Sequence, residues 1–289
     1  MTITPNEYHN IPDLDDPLKI FSLKDRIGII AGGTGKMGQQ FASVLSQAGA
    51  TVVLADLSEE KCSTVAASLQ PKSGGKVVGI CCDVSRQESV EKTFSNIVSD
   101  YGRLDFLINN VMAKPEGYYS PFEEYSKVTW DKVMEVNLSG TFLCCREAVK
   151  IMKRQKLGGS IVITSSTYGV SGPDQRIYRD CSPGKNIYGG NFKLNAPASY
   201  SASKAGLIGL ARYLATYVGS KGIRVNVLTP GGVFDGQEAS FHTAYTDKVP
   251  LGRMAVWSDY NGAILFLVSD ASRYMTGSNL VVDGGWTAW

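Results

Sequence analysis

The stretch Ile30-Ala31-Gly32-Gly33-Thr34-Gly35-Lys36-Met37-Gly38 closes a short apolar run and opens an amphipathic one. It reads as G-x-G-x-x-G from Gly33, or as G-x-x-G-x-x-G from Gly32. A glycine turn between strand and helix makes an anion site. The helix start presents free N–H groups and partial positive charge, and glycines let a diphosphate approach the backbone. Such turns also serve packing alone, so a second signal is needed. The next apolar run, Thr51–Asp56, ends on a carboxylate. An acid there accepts hydrogen bonds from adenosine ribose hydroxyls and repels a 2′-phosphate. Together the two signals imply a dinucleotide, NAD(H) favoured, with NADP(H) possible. The turn residues expected to hold it are Gly32, Thr34, Gly35, Lys36, Met37 and Gly38, with Asp56 at the ribose. Lys36 reads as a solvated helix-start lysine in preference to a phosphate counter-charge, since a 2′-phosphate role conflicts with Asp56.

Outward from the turn, short apolar runs alternate with amphipathic ones. Strands are expected at Arg26–Ala31, Thr51–Asp56, Lys76–Cys82, Leu104–Asn109, Ser160–Thr164, Arg224–Thr229 and Asn279–Val282. Helices are expected at Met37–Ala48, Glu59–Leu69, Arg86–Tyr101, Trp130–Met152, Ala198–Val218 and Ser258–Ser269. Runs such as TVVLAD and SIVIT are apolar on both faces, as in a parallel sheet covered on both sides. The fold class is therefore α/β: a Rossmann-type, doubly wound sheet of about seven parallel strands with helices on both faces, in a single domain. Residues 1–22 read as an N-terminal extension to a domain over 23–289. Two irregular segments interrupt it, an insertion at about 171–196 and a substrate loop at about 231–254.

With 289 residues, 43% hydrophobic and 19% charged, the chain has the composition of a soluble globular protein. A net charge of +2 argues against nucleic acid as a partner. No apolar run reaches membrane-spanning length, and the polar N-terminus lacks the form of a secretory signal. The six cysteines, including the adjacent pairs Cys81-Cys82 and Cys144-Cys145, suit neither a metal site nor a disulfide framework. Reduced thiols and a cytoplasmic location are expected, with no metal.

A second constellation carries chemistry. In ASYSASKAG, Tyr200 and Lys204 stand at i and i+4 on an expected helix, so they project from one face. A phenol titrates near pH 10, and a neighbouring ammonium is expected to lower that value into a useful range for acid–base work. The preceding run SIVITSS leaves Ser165 and Ser166 at a sheet's carboxyl edge, where α/β ligands bind. Tyr168, Tyr178 and Tyr188 lack a lysine four residues on; Tyr168 and Tyr188 are candidates to line a substrate pocket.

These pieces, with CDV at Cys82–Val84, Asn109-Asn110, VNLSG at Val136–Gly140, RVNVLTPGG at Arg224–Gly232 and LVVDGG at Leu280–Gly285, resemble the short-chain dehydrogenase/reductase family, classical type. The resemblance runs from about Ser22 to the C-terminus. It implies oxidoreduction between a secondary alcohol and a ketone, with Tyr200 as acid or base and Lys204 lowering its pKa while holding the nicotinamide ribose. Ser166 would orient the substrate oxygen, and Asn137 would hold a relay water. Asp83 and Val84 would sit at the adenine, Asn110 at the adenosine ribose, and Pro230, Gly231 and Val233 at the nicotinamide. A homotetramer or homodimer is implied, through Trp130–Met152 and Ala198–Val218.

The departures narrow the likeness. Lys36 stands where the family's usual turn has glycine, Val111-Met112 replaces two small residues, and Ser166 and Tyr200 are unusually far apart. With PGGVFDGQ at Pro230–Gln237, these features resemble flagellin-modification and other sugar-modifying members; VPLGRM and FSLKDR resemble sugar-acid dehydrogenases. The expected substrate is a sugar, sugar acid or sugar phosphate or nucleotide. The insertion's Arg176, Arg179, Lys185 and Lys193 either form a lid for its anionic group or are a solvated loop. Arg253 is a further pocket candidate, and His242 reads as structural. A 3-oxoacyl-thioester reductase and a catalytically retired nucleotide-binding scaffold are the alternatives.

Overall fold

The computed structural model describes residues 18–72, 74–182 and 193–289, so most of the expected N-terminal extension lies outside the described residues. Seven strands form one sheet: β1 (Ile27–Ala31), β2 (Thr51–Asp56), β3 (Lys76–Cys81), β4 (Phe106–Asn109), β5 (Gly159–Thr164), β6 (Ile223–Pro230) and β7 (Asn279–Val282). The order is β3-β2-β1-β4-β5-β6-β7, with every neighbouring pair parallel. Every residue of β1 and β4 is buried, which is why these runs are apolar throughout and not alternating. The chain leaves β1 toward β2 and β3, then crosses back to β4 on the other side. A crevice therefore opens outside the carboxyl ends of β1 and β4.

Helices cover both faces. On one, α1 (Lys36–Gln47) and α9 (Asn261–Val268) bring Phe41, Leu45, Ile264 and Leu267 against Ile30, Leu54 and Ile108. On the other, α3 (Gln87–Tyr101), α5 (Thr141–Gln155) and α7 (Ala198–Val218) pack Phe94, Ala148 and Leu207 against Ile29, Leu107 and Ile161. Between β2 and β3, α2 (Glu59–Ser68) is capped by Ser58, whose side chain accepts from the Lys61 N–H. No helix among the described residues is long and apolar enough to cross a membrane. All six thiols are free; Cys81 is exposed and the other five are buried.

Three expected elements differ. The helix over Trp130–Met152 is α4 (Lys127–Met134), a π-helical turn at Glu135–Gly140, then α5. The widened turn carries VNLSG, and a π-turn inside a helix is a frequent mark of a functional site. Ser258–Ser269 begins as a 3-10 turn, Trp257–Tyr260, before α9. The loop at 231–254 contains α8 (Ala239–Thr246), whose short apolar face lacks the length to show a period. Just before the insertion Ser166 caps α6 (Thr167–Val170), and within it a 3-10 turn follows at Gln175–Tyr178.

Candidate active site

At the end of β1 the chain turns sharply. The Gly32 and Gly33 N–H groups both donate to the Ala55 carbonyl, at 2.9 and 3.2 Å. Gly32 has φ +75°, and a Cβ there would stand 2.7 Å from the Asn110 carbonyl oxygen. A Cβ at Gly38 would stand 2.6 Å from the Gly32 oxygen. Gly38 thus seats α1 against the turn and is absent from the residues lining the cleft. Gly35 caps α1, and a Cβ there would meet the Gly32 oxygen at an unstrained 3.6 Å. The start of α1 leaves its first amides facing this gap.

Gly32 and Gly35 line a cleft of about 600 Å³ with Thr34, Lys36, Met37, Asp56, Asp83, Val84, Asn110, Pro230, Gly231 and Val233. Asp56 is built into the turn: one carboxylate oxygen accepts from the Thr34 N–H (3.1 Å) and hydroxyl (2.6 Å), the other from the Leu57 N–H (2.9 Å). The expected dinucleotide residues, Gly38 apart, therefore share one surface. A backbone cradle that a side chain would fill, beside a fixed carboxylate, fits a nicotinamide dinucleotide. Lys36 is not simply solvated. Its ammonium pairs with Asp235, in the loop after β6.

The same cleft reaches the end of β5, where it is lined by Thr164, Ser165 and Ser166, and by Tyr200 and Lys204 one turn apart on α7. Lys204, 4% exposed, donates to the Thr164 carbonyl at 2.8 Å, and its Nζ lies 5.7 Å from the Tyr200 ring centroid. Ser165 Oγ donates to the Lys204 carbonyl at 2.8 Å, tying α7 to the strand end. Burial pushes the Tyr200 phenol above its ordinary value, opposed by a hydrogen bond with Ser166. Burial also lowers Lys204 from 10.5 to about 8. Burial thus acts on the phenol and the ammonium alike, with the two groups one helical turn apart.

Asn137 lies in the π-turn, fully buried. Its Oδ1 accepts from the Ala113 N–H (2.9 Å) and its Nδ2 donates to Ser203 Oγ (3.1 Å). The side chain braces the segment after β4 against α7.

At the far end the cleft wall is aromatic. Tyr168 stands edge-on to Tyr200 at 6.5 Å and bonds Tyr178, hydroxyl to hydroxyl, at 3.1 Å. Tyr178, from the insertion, meets Phe241 of α8 at 5.3 Å, and Phe241 meets Tyr245 at 5.8 Å. Tyr245 stacks on Trp286 at 4.3 Å and accepts from the Gly232 N–H at 2.6 Å. Two polar clasps join insertion and loop: Glu238 takes the Ser182 N–H and hydroxyl, each at 2.9 Å, and Lys248 pairs with Asp174.

Arg253 is not among the residues lining this cleft; Asp259 holds its guanidinium at 2.6 and 3.0 Å. Arg176 is bound to Asp174 and, with Arg179 and Lys193, lines a separate cavity that shares Tyr178, Leu194 and Asn195 with the cleft. The insertion's described cations thus lie outside the chamber that holds Tyr200. Tyr188 and Lys185 lie outside the described residues. His242 packs its ring on Phe234 and stays out of the cleft, as a structural residue does. Sequence reasoning missed Lys114, Asp235, Glu238, Phe241 and Tyr245, which line the cleft. Their irregular segments carry no spacing that announces a role.

The short chain dehydrogenase family model matches residues 26–179, and one described as an enoyl-(acyl carrier protein) reductase matches residues 186–287. The chain is 30% identical to a D-threitol dehydrogenase from Mycolicibacterium smegmatis, over 92% of this chain and 95% of that one. It is 29% identical to a 3-oxoacyl-[acyl-carrier-protein] reductase from Aquifex aeolicus, over 91% and 98%. Among solved structures, a short chain dehydrogenase from Leptospira borgpetersenii with bound NAD+ matches with TM-score 0.78 and 31% identity, over 96% of this chain and 98% of that one. A gluconate 5-dehydrogenase from Burkholderia cenocepacia, in complex with NADP and tartrate, matches with TM-score 0.82 and 25% identity, over 95% and 100%.

Proposed function

The chain belongs to the short chain dehydrogenase family and is an oxidoreductase of CH–OH groups, and from that premise we propose that it interconverts a secondary alcohol and a ketone on a neutral polyol or sugar, with NAD(H). The observation carrying the reaction is the shared cleft, with Tyr200, Ser166 and Lys204 at one end and the glycine cradle with Asp56 at the other. A bound nicotinamide supplies or accepts the hydride. In reduction Tyr200 gives its proton to the carbonyl oxygen, and in oxidation it takes the proton back. Ser166 steadies that oxygen, and Lys204 offers a nearby positive charge to the phenolate as it forms. Asn137 acts as a positioning residue, fixing Ser203, whose hydroxyl donates to the Tyr200 carbonyl at 2.9 Å.

The substrate class rests on the far wall. Tyrosine faces suit the C–H faces of a polyhydroxylated chain or ring. On the far wall Glu238 lines the cleft while Arg176 and Arg179 do not, which disfavours an anionic reacting end. The D-threitol dehydrogenase relative supports the same class. Asp56 favours NAD(H), because a carboxylate at the end of the second strand accepts from ribose hydroxyls and repels a 2′-phosphate. The test is a panel of polyols, sugars, sugar acids and sugar phosphates with NAD and NADP, followed by absorbance of the reduced cofactor. Turnover of neutral polyols with NAD is expected; turnover confined to acidic substrates would overturn the substrate class. The Aquifex relative favours a second reading, a 3-oxoacyl-thioester reductase. That reading requires reduction of acetoacetyl thioesters to outpace every polyol.

A further inference from the structure

We propose that Asp235 is an internal counter-ion, competing with the cofactor's diphosphate for Lys36 and so coupling the nucleotide cleft to the loop that builds the substrate wall. The proposal rests on the dinucleotide reading of the cleft. Lys36 opens α1 at the glycine turn, and Asp235 lies in the segment leaving β6. Although 199 residues separate them in sequence, their side chains form an ion pair on the cleft wall. Lys114, after β4, lines the same cleft, and Asp235 acts electrostatically on it. Two cations from different strand ends thus face one carboxylate where the sheet's crevice opens.

The carboxylate is delivered by an anchored backbone. Phe234 N–H donates to the Ala255 carbonyl (2.8 Å), and Ala255 N–H donates to Gly232 (3.0 Å). Gln237 closes the turn, accepting from the Asp235 N–H at 2.7 Å and donating to the Val233 carbonyl at 2.9 Å. Asp235 is therefore held beside Lys36 by its loop. A lysine in the first turn of a helix is disfavoured by the macrodipole, and Asp235 offsets that cost. A diphosphate at the same helix start brings its own negative charge to Lys36 and meets Asp235 as a like charge. Either anion can satisfy the ammonium, and each weakens the other's hold. By reciprocity, cofactor binding loosens the tie between the glycine turn and the segment leading to α8.

The test measures binding of ADP-ribose, which carries the diphosphate without the nicotinamide, by calorimetry at two ionic strengths. Asp235→Asn and Asp235→Ser are expected to bind it about two- to fivefold more tightly than wild type, with a steeper salt dependence. Lys36→Gln binds it more weakly by a similar factor, and the Asp235→Asn gain shrinks in the double variant. Adenosine, lacking phosphates, binds all forms alike. Limited proteolysis within 231–254 accelerates on ADP-ribose addition in wild type and is ADP-ribose-independent in Asp235→Asn. An Asp235→Asn protein that binds ADP-ribose no more tightly than wild type overturns the proposal and leaves the dinucleotide reading standing. Failure of wild type to bind ADP-ribose at all overturns both.

Discussion

Tyr200 and Lys204 are the residues whose chemistry was most open to reading from sequence, and their electrostatics was the least. An i, i+4 pair guarantees a common face, but not which surroundings that face meets. Buried against the Thr164 carbonyl and the cleft wall, the lysine is desolvated and the phenol with it. Tyr200→Phe removes the proton donor while leaving the cradle intact. Turnover should fall by about a thousandfold or more, with NADH binding, followed by its fluorescence, nearly unchanged; retained turnover would reject the mechanism. Lys204 gives a stability signature. Its folded value of about 8 lies below its ordinary 10.5, so below pH 8 the charge is present in both folded and unfolded states and the burial cost is complete. Between about 8 and 10.5 the folded state releases the proton first, and the cost declines as pH rises. Lys204→Met should therefore raise the melting temperature most below pH 8, with the advantage shrinking toward pH 10 in calorimetric scans.

At the scale of elements, the glycine turn, α8 and the insertion show why some local sequence is legible and some is not. The turn is readable because diphosphate binding and close packing both demand glycine, and the structure separates those demands. Gly35 leaves space, whereas Gly38 lets α1 touch the backbone of Gly32 and Gly33. Gly38→Ala should destabilise the fold by about 1–3 kcal/mol through overpacking, seen as a lower denaturation midpoint, whereas Gly35→Ala should weaken cofactor binding with little change in that midpoint. The insertion and α8 carry no period, yet they fold against each other through Ile177, Cys181, Phe241 and Tyr245. Their order comes from contacts between distant segments, which no local pattern encodes. The placement of the insertion's arginines is set the same way: Asp174 pairs with Arg176, which lines the cavity beside the chamber with Tyr200.

For the whole molecule, assembly and the meeting of strand ends are the open quantities. Phe142 on α5 and the stacked Tyr213 and Tyr217 on α7 are exposed, on the helices through which family resemblance implies a dimer or tetramer. Light scattering should report an oligomer, and Tyr213→Glu with Tyr217→Glu should reduce its mass; an unchanged oligomer would remove these helices from the interface. The seven strands, their parallel arrangement and a site at the sheet's carboxyl edge followed from the sequence by itself. So did the cofactor class and the Tyr200/Lys204 pair. Apolar runs buried on both faces, glycine in a tight turn and side chains one helical turn apart are demands that each segment must meet alone. Only the tertiary structure decided that Lys36 pairs with Asp235, that Asn137 bonds Ala113 and Ser203, that Asp259 holds Arg253 and that Tyr200 is desolvated beside Lys204. Those outcomes depend on which distant groups share a space and how much water is left between them, and that is settled when the segments pack.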